Sequence, residues 1–503
     1  MDWFLKKAHE CQSFPNKPAN EGDVAMVEEA LCWLGRNPFT ERMAIEHVMV
    51  FGETGCGKTS GSFAWFLTHY LAHGFGAVIN CVTESDIAKF RFYVECSGRS
   101  NSMIVIEPSA DPSQKPRWRC NLVRYLLEKP GGGLGSRIDQ VAELFTVIVE
   151  AADRRERAKG GTAGEVFFVN SCKELFRNAA QIGVTARVPM SFRVIDDIIS
   201  SVPRSAQEVH DPGWQKDSYC YQLINAVEVE KLPRRERLDF ERAAIYFLRK
   251  FPSEPPDTAG SILATYFASA DFLLRGHMAD LFDDDTNFVP DMVFEGAIIC
   301  TNLPPRVYGE AGAILQTAFN YVFQRAAQQR DMENNPRPCV WAADESHAVI
   351  SETTSQFLAD ARNRKVACLL ATQNISNYMA AVGGQAGKDQ MESLLGNAGT
   401  KVFHTNGHHP TNEWASKMIS QKVNLRMSYH GNMEKAGGGG GGGSEHLEPK
   451  VLEALFTELK KGGPANAFLT EAVVFRTGEA FGESQDTWQV VKFKQLIPTT
   501  GRK

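Results

Sequence analysis

The segment HVMVFGETGCGKT, residues 47–59, joins a short apolar run to a glycine-rich loop. The apolar run is typical of a buried strand, and GETGCGKT, residues 52–59, fits the pattern GxxxxGK followed by Ser or Thr, which forms a phosphate-binding loop before a helix. In such a loop the main-chain N–H groups surround phosphate oxygens, the lysine reaches the β- and γ-phosphates, and the next hydroxyl ligates Mg²⁺. We therefore predict that ATP and Mg²⁺ bind through Gly52, Glu53, Thr54, Gly55, Cys56, Gly57, Lys58, Thr59 and Ser60, with Thr59 as a metal ligand.

A second motif, VWAADE at residues 340–345, ends an apolar run with two carboxylates. Asp344 can hold Mg²⁺ through water, and Glu345 can act as the general base that activates the attacking water. Carboxylates after a strand are also common as solvated loop residues, but the phosphate-binding loop in the same chain favours the catalytic interpretation. We predict Asp344 as a metal ligand, and Glu345 and Lys58 as catalytic residues.

Polar residues near a further apolar run, ACLLATQ at residues 367–373, are candidates for sensing the γ-phosphate. Gln373 ends this run, where it can contact the γ-phosphate or the lytic water, or simply cap the strand. Arg362 and Arg364 precede the run and are either solvated charges or an arginine finger that reaches the site of a neighbouring subunit. The residues alone leave these alternatives open.

Six short apolar runs predict the strands of a mostly parallel sheet covered by helices, that is, an α/β fold. The runs lie at residues 47–52, 76–83, 102–108, 296–303, 338–344 and 367–373. Between the third and the fourth run, the sequence instead shows amphipathic helical patterns such as RIDQVAELFTVIVEAADRRERA. We predict an all-α insertion that interrupts the sheet.

The predicted domain boundaries follow these changes of pattern. The run Gly437–Gly443 predicts a flexible loop rather than a helix or strand, because glycine has high conformational freedom. The histidines of FHTNGHHPTNEW, residues 403–414, are interpreted as polar loop residues. The proposed units are an N-terminal helical segment (1–45), the first part of the nucleotide-binding domain (46–125), the all-α insertion (126–290), the second part of the nucleotide-binding domain (291–434), the glycine-rich loop (435–446), and a C-terminal helix and strands that complete the core (447–503).

Composition excludes several classes of protein. The 54 Lys and Arg residues against 60 Asp and Glu residues leave a net charge of -6, so bulk positive charge cannot drive nucleic-acid binding. The 11 cysteines form no CxxC pair, which suits a reducing compartment. Because neither a secretory signal nor a run of about 18 apolar residues is visible, we expect a cytoplasmic protein.

The order of these motifs resembles that of the type IV secretion coupling proteins, in the FtsK/HerA branch of P-loop motors. The resemblance covers roughly residues 45–495. It depends on the order of GETGCGKT, the helical insertion, CNLVRYL (120–126), AIICTNLPPRVYGEAG (297–312), VWAADESH, the ARNRK helix, ATQN and LLGNAGTKVFHTNGHHPTNEWAS (394–416).

The resemblance implies a RecA-like core that assembles into a homohexamer and hydrolyses ATP to move DNA or relaxase-bound DNA. It also implies that the all-α domain chooses the substrate, that Gln373 senses the γ-phosphate, and that Arg362 acts in a neighbouring subunit. The chain departs from the family pattern because it shows no N-terminal transmembrane segment. Membrane contact is therefore expected only through partners, such as components of a type IV secretion system.

Two other functions remain open at this stage. One is a secretion ATPase that acts on protein, and the other is a nucleotide-gated scaffold in a mobile-element or defence complex. The strand form of the DNA, the direction of translocation and the ligand of the all-α domain are not determined by the sequence.

Overall fold

The computed structural model describes residues 30–129, 131–157, 163–382, 387–431, 439–482 and 484–498. Within these ranges the strands are β1 (Ala30–Leu34), β2 (Asn37–Thr40), β3 (Val48–Phe51), β4 (Gly76–Asn80), β5 (Met103–Ile106), β6 (Ile298–Thr301), β7 (Cys339–Ala343), β8 (Val366–Thr372), β9 (Thr400–His404), β10 (Gln421–Gly431), β11 (Gly439–Pro449), β12 (Leu469–Arg476) and β13 (Trp488–Lys494). Nine of them form one sheet in the order β13-β12-β9-β3-β8-β7-β4-β6-β5.

Seven neighbouring strands of this sheet, from β9 to β5, are parallel. Every residue of β3, β4, β6, β7, β8 and β9 is buried. Helices cover both faces of such a sheet, so its strands are apolar along their whole length instead of alternating. The predicted α/β fold with a mostly parallel sheet is confirmed, and each of the six predicted runs overlaps a strand.

One central strand was not predicted from its hydrophobicity. β9 pairs in parallel with β3 and antiparallel with β12, so it joins the parallel part of the sheet to the C-terminal strands. Its sequence, TKVFH, places a buried lysine and a buried histidine at positions that are usually apolar. The interpretation of His404 as a polar loop residue was therefore wrong, because it ends a buried strand.

Helices surround the sheet and build the insertion. Those of the core are Glu41–Ile45, Ala64–Ala72, Asp86–Cys96, Pro305–Gln329, Thr353–Ala361, Ile375–Ala381, Lys388–Gly396, His409–Ile419 and Glu453–Glu458. The region between β5 and β6 contains Leu122–Glu128, Gly133–Arg157, Ala163–Thr185, Phe192–Ser200, Pro212–Asp217, Tyr219–Ala226, Arg234–Ile245, Pro256–Ala270 and Gly276–Phe282. Among the described residues, no helix is both long and apolar enough to cross a membrane.

The described part of residues 126–290 contains helices and short helical turns and no strand. Its two longest helices pack through apolar residues, and the rings of Phe145 and Phe176 stack with centroids 4.4 Å apart. The Tyr321 hydroxyl, on the core helix Pro305–Gln329, donates a hydrogen bond of 3.2 Å to the carbonyl of Gln140. The insertion is therefore attached to the core through this helix, while its exact boundaries stay a prediction.

The N-terminal helical segment is a prediction that the structure corrects for residues 30–40. These residues form the antiparallel pair of β1 and β2, and the first helix among the described residues begins at Glu41. Gly35 adopts a φ of 64° in the connecting turn, a conformation that suits glycine. The ring of Phe39 packs 5.0 Å from that of Phe66, so the hairpin contributes to the core. The rest of the predicted segment, residues 1–29, lies outside the described residues.

The structure also corrects part of the prediction that Gly437–Gly443 form a flexible loop. Gly439–Gly443 belong to β11, which pairs antiparallel with β10 over 11 residue pairs. A strand ladder uses main-chain N–H and C=O groups, which glycine has, so a long partner strand can order a glycine-rich segment despite an entropic penalty of roughly 0.5–1 kcal/mol per residue. Gly437 and Gly438 lie outside the described residues.

A fully buried hydrogen-bond network fixes the sheet beside the end of β7. The Asn80 amide donates to Thr301 Oγ1 at 2.9 Å and to Asn320 Oδ1 at 3.1 Å, and it accepts from Trp341 Nε1 at 2.8 Å. Thr301 Oγ1 in turn donates to Gln316 Oε1 at 2.9 Å. The network joins β4, β6 and β7 to the helix Pro305–Gln329, which contacts the insertion.

We expect Asn80→Leu to lower the free energy of unfolding by about 2–4 kcal/mol, because it leaves several buried groups without their partner. The measurement is unfolding in urea, monitored by circular dichroism. Asn225→Leu, the same change at an exposed helical position, is the control and should alter stability by less than about 0.5 kcal/mol. Equal effects of the two substitutions would contradict the role given to the network.

Candidate functional site

The predicted site residues converge at the carboxyl ends of three neighbouring strands. The phosphate-binding loop follows β3, Asp344 and Glu345 follow β7, and Gln373 follows β8, which lies between the other two strands. In open parallel sheets, ligands bind at this edge because the loops after the strands meet there. The structure thus brings together residues that are more than 280 positions apart in the chain.

The loop conformation depends on its glycines at particular positions. Gly55 and Gly57 have φ values of 79° and 92°, in the left-handed region that disfavours side chains. At Gly52, a Cβ atom would lie 2.6 Å from Cys56 Sγ and 2.8 Å from the Cβ of His404. The motif therefore has glycine where either the backbone conformation or the packing excludes other residues.

Lys58 forms the central contact of the site. Its Nζ donates to Glu345 Oε1 at 2.9 Å and lies 4.0 Å from Asp344 Oδ1. Burial lowers the pKa of Lys58, but the carboxylates of Asp344 and Glu345 more than offset this effect, so the pKa is raised and the amine is charged. Two carboxylates face one ammonium group, and the excess negative charge suits a divalent cation.

Thr59 and Asp344 form the pair that fits a magnesium ion. The Thr59 hydroxyl donates to Asp344 Oδ2 at 2.5 Å. Burial raises the pKa of Asp344, an effect that Lys58 opposes. A hydroxyl at the start of the helical segment after the loop and a carboxylate just after β7 are oxygen donors of the kind that Mg²⁺ prefers beside nucleotide phosphates. The donor set therefore agrees with the predicted metal ligands.

Glu345 is held in an uncommon backbone conformation. Its φ and ψ of 52° and 44° lie in the left-handed region, which few residues other than glycine, asparagine and aspartate adopt. Its Oε1 accepts hydrogen bonds from Lys58 and from Gln373 Nε2, the latter at 3.4 Å. Strained conformations of this kind persist where surrounding contacts fix them, often at active sites. Gln373 therefore lies beside Glu345, while its contact with the γ-phosphate or the lytic water stays a prediction.

The C-terminal strands support the phosphate-binding loop, which the sequence motifs did not predict. Thr470 Oγ1 donates to the carbonyl of Cys56 at 2.9 Å, and the main-chain N–H of Leu496 donates to the carbonyl of Ser60 at 2.7 Å. His404 lies behind the loop, where its Nε2 is 2.7 Å from Ser62 Oγ. Burial lowers the pKa of His404 to about 3, so its imidazole is neutral at physiological pH.

Cys56 fills the space beneath the loop. Its side chain is fully buried, and burial raises the pKa of the thiol. A protonated, inaccessible thiol is a poor nucleophile, so burial disfavours reactions of the Cys56 thiol.

The two candidate arginines lie at the opposite edge of the sheet. Arg362 and Arg364 precede the amino end of β8, whereas Gln373 follows its carboxyl end, so the seven residues of the strand separate them by about 20 Å. The Arg362 guanidinium lies 3.3 Å from Glu46 Oε1, and Arg364 Nε lies 3.9 Å from Asp360 Oδ2. Neither arginine reaches the phosphate-binding loop of the same chain.

The fold and the site are those of a P-loop nucleotide-binding protein. A family model described as the TraM recognition site of TraD and TraG matches residues 338–457. No match was found among the curated proteins.

Solved structures of TrwB are similar to the chain over nearly its whole length. The bacterial conjugative coupling protein TrwBdeltaN70, in an unbound form, superposes with a TM-score of 0.59 at 15% identity, covering 96% of this chain and 97% of that chain. The plasmid coupling protein TrwB in complex with ADP and Mg²⁺ also gives a TM-score of 0.59 at 15% identity, with 98% of each chain covered. At this identity the likeness establishes the fold. The order of the motifs predicted a resemblance to the coupling proteins. The similarity of the fold to TrwB and the family match over residues 338–457 confirm this resemblance.

Proposed function

We propose that the chain is an ATP-hydrolysing motor that moves DNA, or a nucleoprotein, in conjugative or type IV secretion transfer. The observation that carries this proposal is the convergence of Lys58 and Thr59 with Asp344, Glu345 and Gln373 at one edge of the sheet. A phosphate-binding loop beside a buried Asp344 and a partly buried Glu345 is an arrangement for phosphoryl transfer to water.

Each residue has a defined part in the proposed reaction. Thr59 and Asp344 hold Mg²⁺, which neutralises charge on the β- and γ-phosphates. A γ-phosphate offers Lys58 an anionic partner in place of Glu345, so Glu345 Oε1 becomes available to the attacking water. Glu345 then accepts a proton from that water as the new oxygen–phosphorus bond forms and the bond to the β-phosphate oxygen breaks.

The TrwB structures support both the proposed ligands and the proposed role in conjugative transfer. They include complexes with ADP and Mg²⁺ and with a non-hydrolysable ATP analogue. TrwB is a coupling protein, and the match to the TraM recognition site suggests that residues 338–457 contact a relaxosome protein. We propose the same ligands and the same class of partner for this chain.

The position of Arg362 supports assembly into a ring. This arginine is too far from its own phosphate-binding loop to act there, and more than half of its side chain is exposed. An arginine supplied by a neighbour stabilises transition-state charge and makes hydrolysis depend on assembly. We propose a homohexamer in which Arg362 completes the site of the adjacent subunit.

Glu345→Gln should abolish ATP hydrolysis and leave ATP binding intact, because the amide cannot accept the proton of the attacking water. We expect turnover to fall by roughly 10²-fold or more. Phosphate release and the binding of a fluorescent ATP analogue are the measurements. Lys58→Ala should instead weaken binding, and Glu333→Gln, at an exposed position, is the matched control. Hydrolysis by Glu345→Gln at the level of the control would contradict the assignment.

Mixtures of Arg362→Ala and Lys58→Ala chains should hydrolyse ATP although each variant alone is inactive. At an equal ratio, random mixing creates about a quarter of sites with an intact loop and an intact neighbouring arginine. Arg364→Ala mixed with Lys58→Ala is the control that separates the two arginines. An absence of recovery at every ratio, with mixed assembly verified by differential tagging, would contradict the action of Arg362 in a neighbour.

A further inference from the structure

The two carboxylate oxygens of Glu345 have different surroundings. Oε1 accepts from Lys58 and Gln373, whereas Oε2 is buried and has no hydrogen-bond partner among the described residues. A buried carboxylate oxygen without a donor is destabilising. The hydrogen bonds to Oε1 hold that oxygen but do not fix the plane of the carboxylate, and a general base must meet one water in one orientation.

An imidazole lies beside this oxygen. His347 Nδ1 is 3.6 Å from Glu345 Oε2, slightly beyond hydrogen-bond distance. The same Nδ1 is 3.2 Å from Thr372 Oγ1, on the buried last residue of β8. A small rotation of the ring therefore moves Nδ1 between the threonine hydroxyl and the catalytic carboxylate.

The backbone that carries His347 is fixed on the same strand. Ser346 is fully buried, and its hydroxyl donates to the carbonyl of Ala371 at 3.0 Å and lies 2.6 Å from the hydroxyl of Tyr378. Together with the left-handed backbone of Glu345, this anchor presents the carboxylate and the imidazole on one short turn. The relative position of the two side chains is thus determined by β8 and not by a mobile loop.

We propose that His347 is a positioning residue for the general base, and this inference rests on the proposed ATPase function. His347 Nδ1–H donates to Glu345 Oε2 during turnover, with Thr372 Oγ1 as its alternative acceptor. The bond fixes the plane of the carboxylate when a γ-phosphate competes for Lys58, so that Oε1 faces the attacking water. His347 does not touch the nucleotide and therefore affects the rate rather than the binding.

Asparagine and leucine at position 347 provide a matched pair of variants. Their side chains are similar in size, and the amide nitrogen of asparagine can occupy the position of histidine Nδ1, whereas leucine has no donor. Because part of the His347 side chain reaches solvent, both variants should fold, which thermal denaturation checks.

We expect His347→Leu to lower kcat for ATP hydrolysis roughly tenfold or more, while the KM for ATP and the Kd of a non-hydrolysable ATP analogue change by less than about twofold. His347→Asn should retain at least about half of the original kcat, because it keeps the donor. Thr372→Val, which removes the alternative acceptor, should leave kcat within about threefold.

If the unaltered chain hydrolyses ATP, either of two results would overturn the inference. One is a kcat of His347→Leu within about twofold of the unaltered chain, and the other is an equal loss of kcat in the Leu and Asn variants. Failure of the unaltered chain to hydrolyse ATP under all conditions would instead overturn the proposed function, and this inference with it.

Discussion

The contact between Lys58 Nζ and Glu345 Oε1 is the interaction on which the arrangement of the site depends. It requires the loops after β3 and β7 to meet, although β8 lies between these strands. The parallel direction of all three strands satisfies this requirement, because it places the three carboxyl ends at one edge. The contact also balances charge in a buried cluster that would otherwise hold two carboxylates without a cation.

The same edge connects the site to distant parts of the chain. The C-terminal strands hold the phosphate-binding loop from behind through Thr470 and Leu496, more than 400 residues later in the sequence. On the other side, Asn320 donates to the carbonyl of Val349, just after the turn that carries Glu345, and its neighbour Tyr321 contacts the insertion. The helix Pro305–Gln329 thus lies between this turn and the all-α region.

Much of this organisation could be predicted because buried parallel strands are apolar throughout and because phosphate binding requires a particular loop. β9 could not be predicted from hydrophobicity, since Lys401 and His404 are buried polar residues. Lys401 Nζ donates to the carbonyl of Ala398, just before the strand, and His404 Nδ1 lies 3.1 Å from the carbonyl of Glu471, on β12. The strand of Gly439–Gly443 depends on pairing with β10, which local propensity does not report. The contact of His347 with Thr372 depends on strand order and on the backbone of Glu345, and no spacing in the sequence encodes either.

The central claim is that this edge of the sheet is an ATPase site that is completed by assembly and coupled to DNA. The most direct test is steady-state ATP hydrolysis at several protein concentrations, with and without single- and double-stranded DNA, at two salt concentrations. The account predicts a turnover per chain that rises with protein concentration and with DNA, and a DNA effect that decreases with salt as phosphate contacts weaken. Turnover that is independent of DNA and of protein concentration would contradict it, and would favour an ATPase activated by a protein partner.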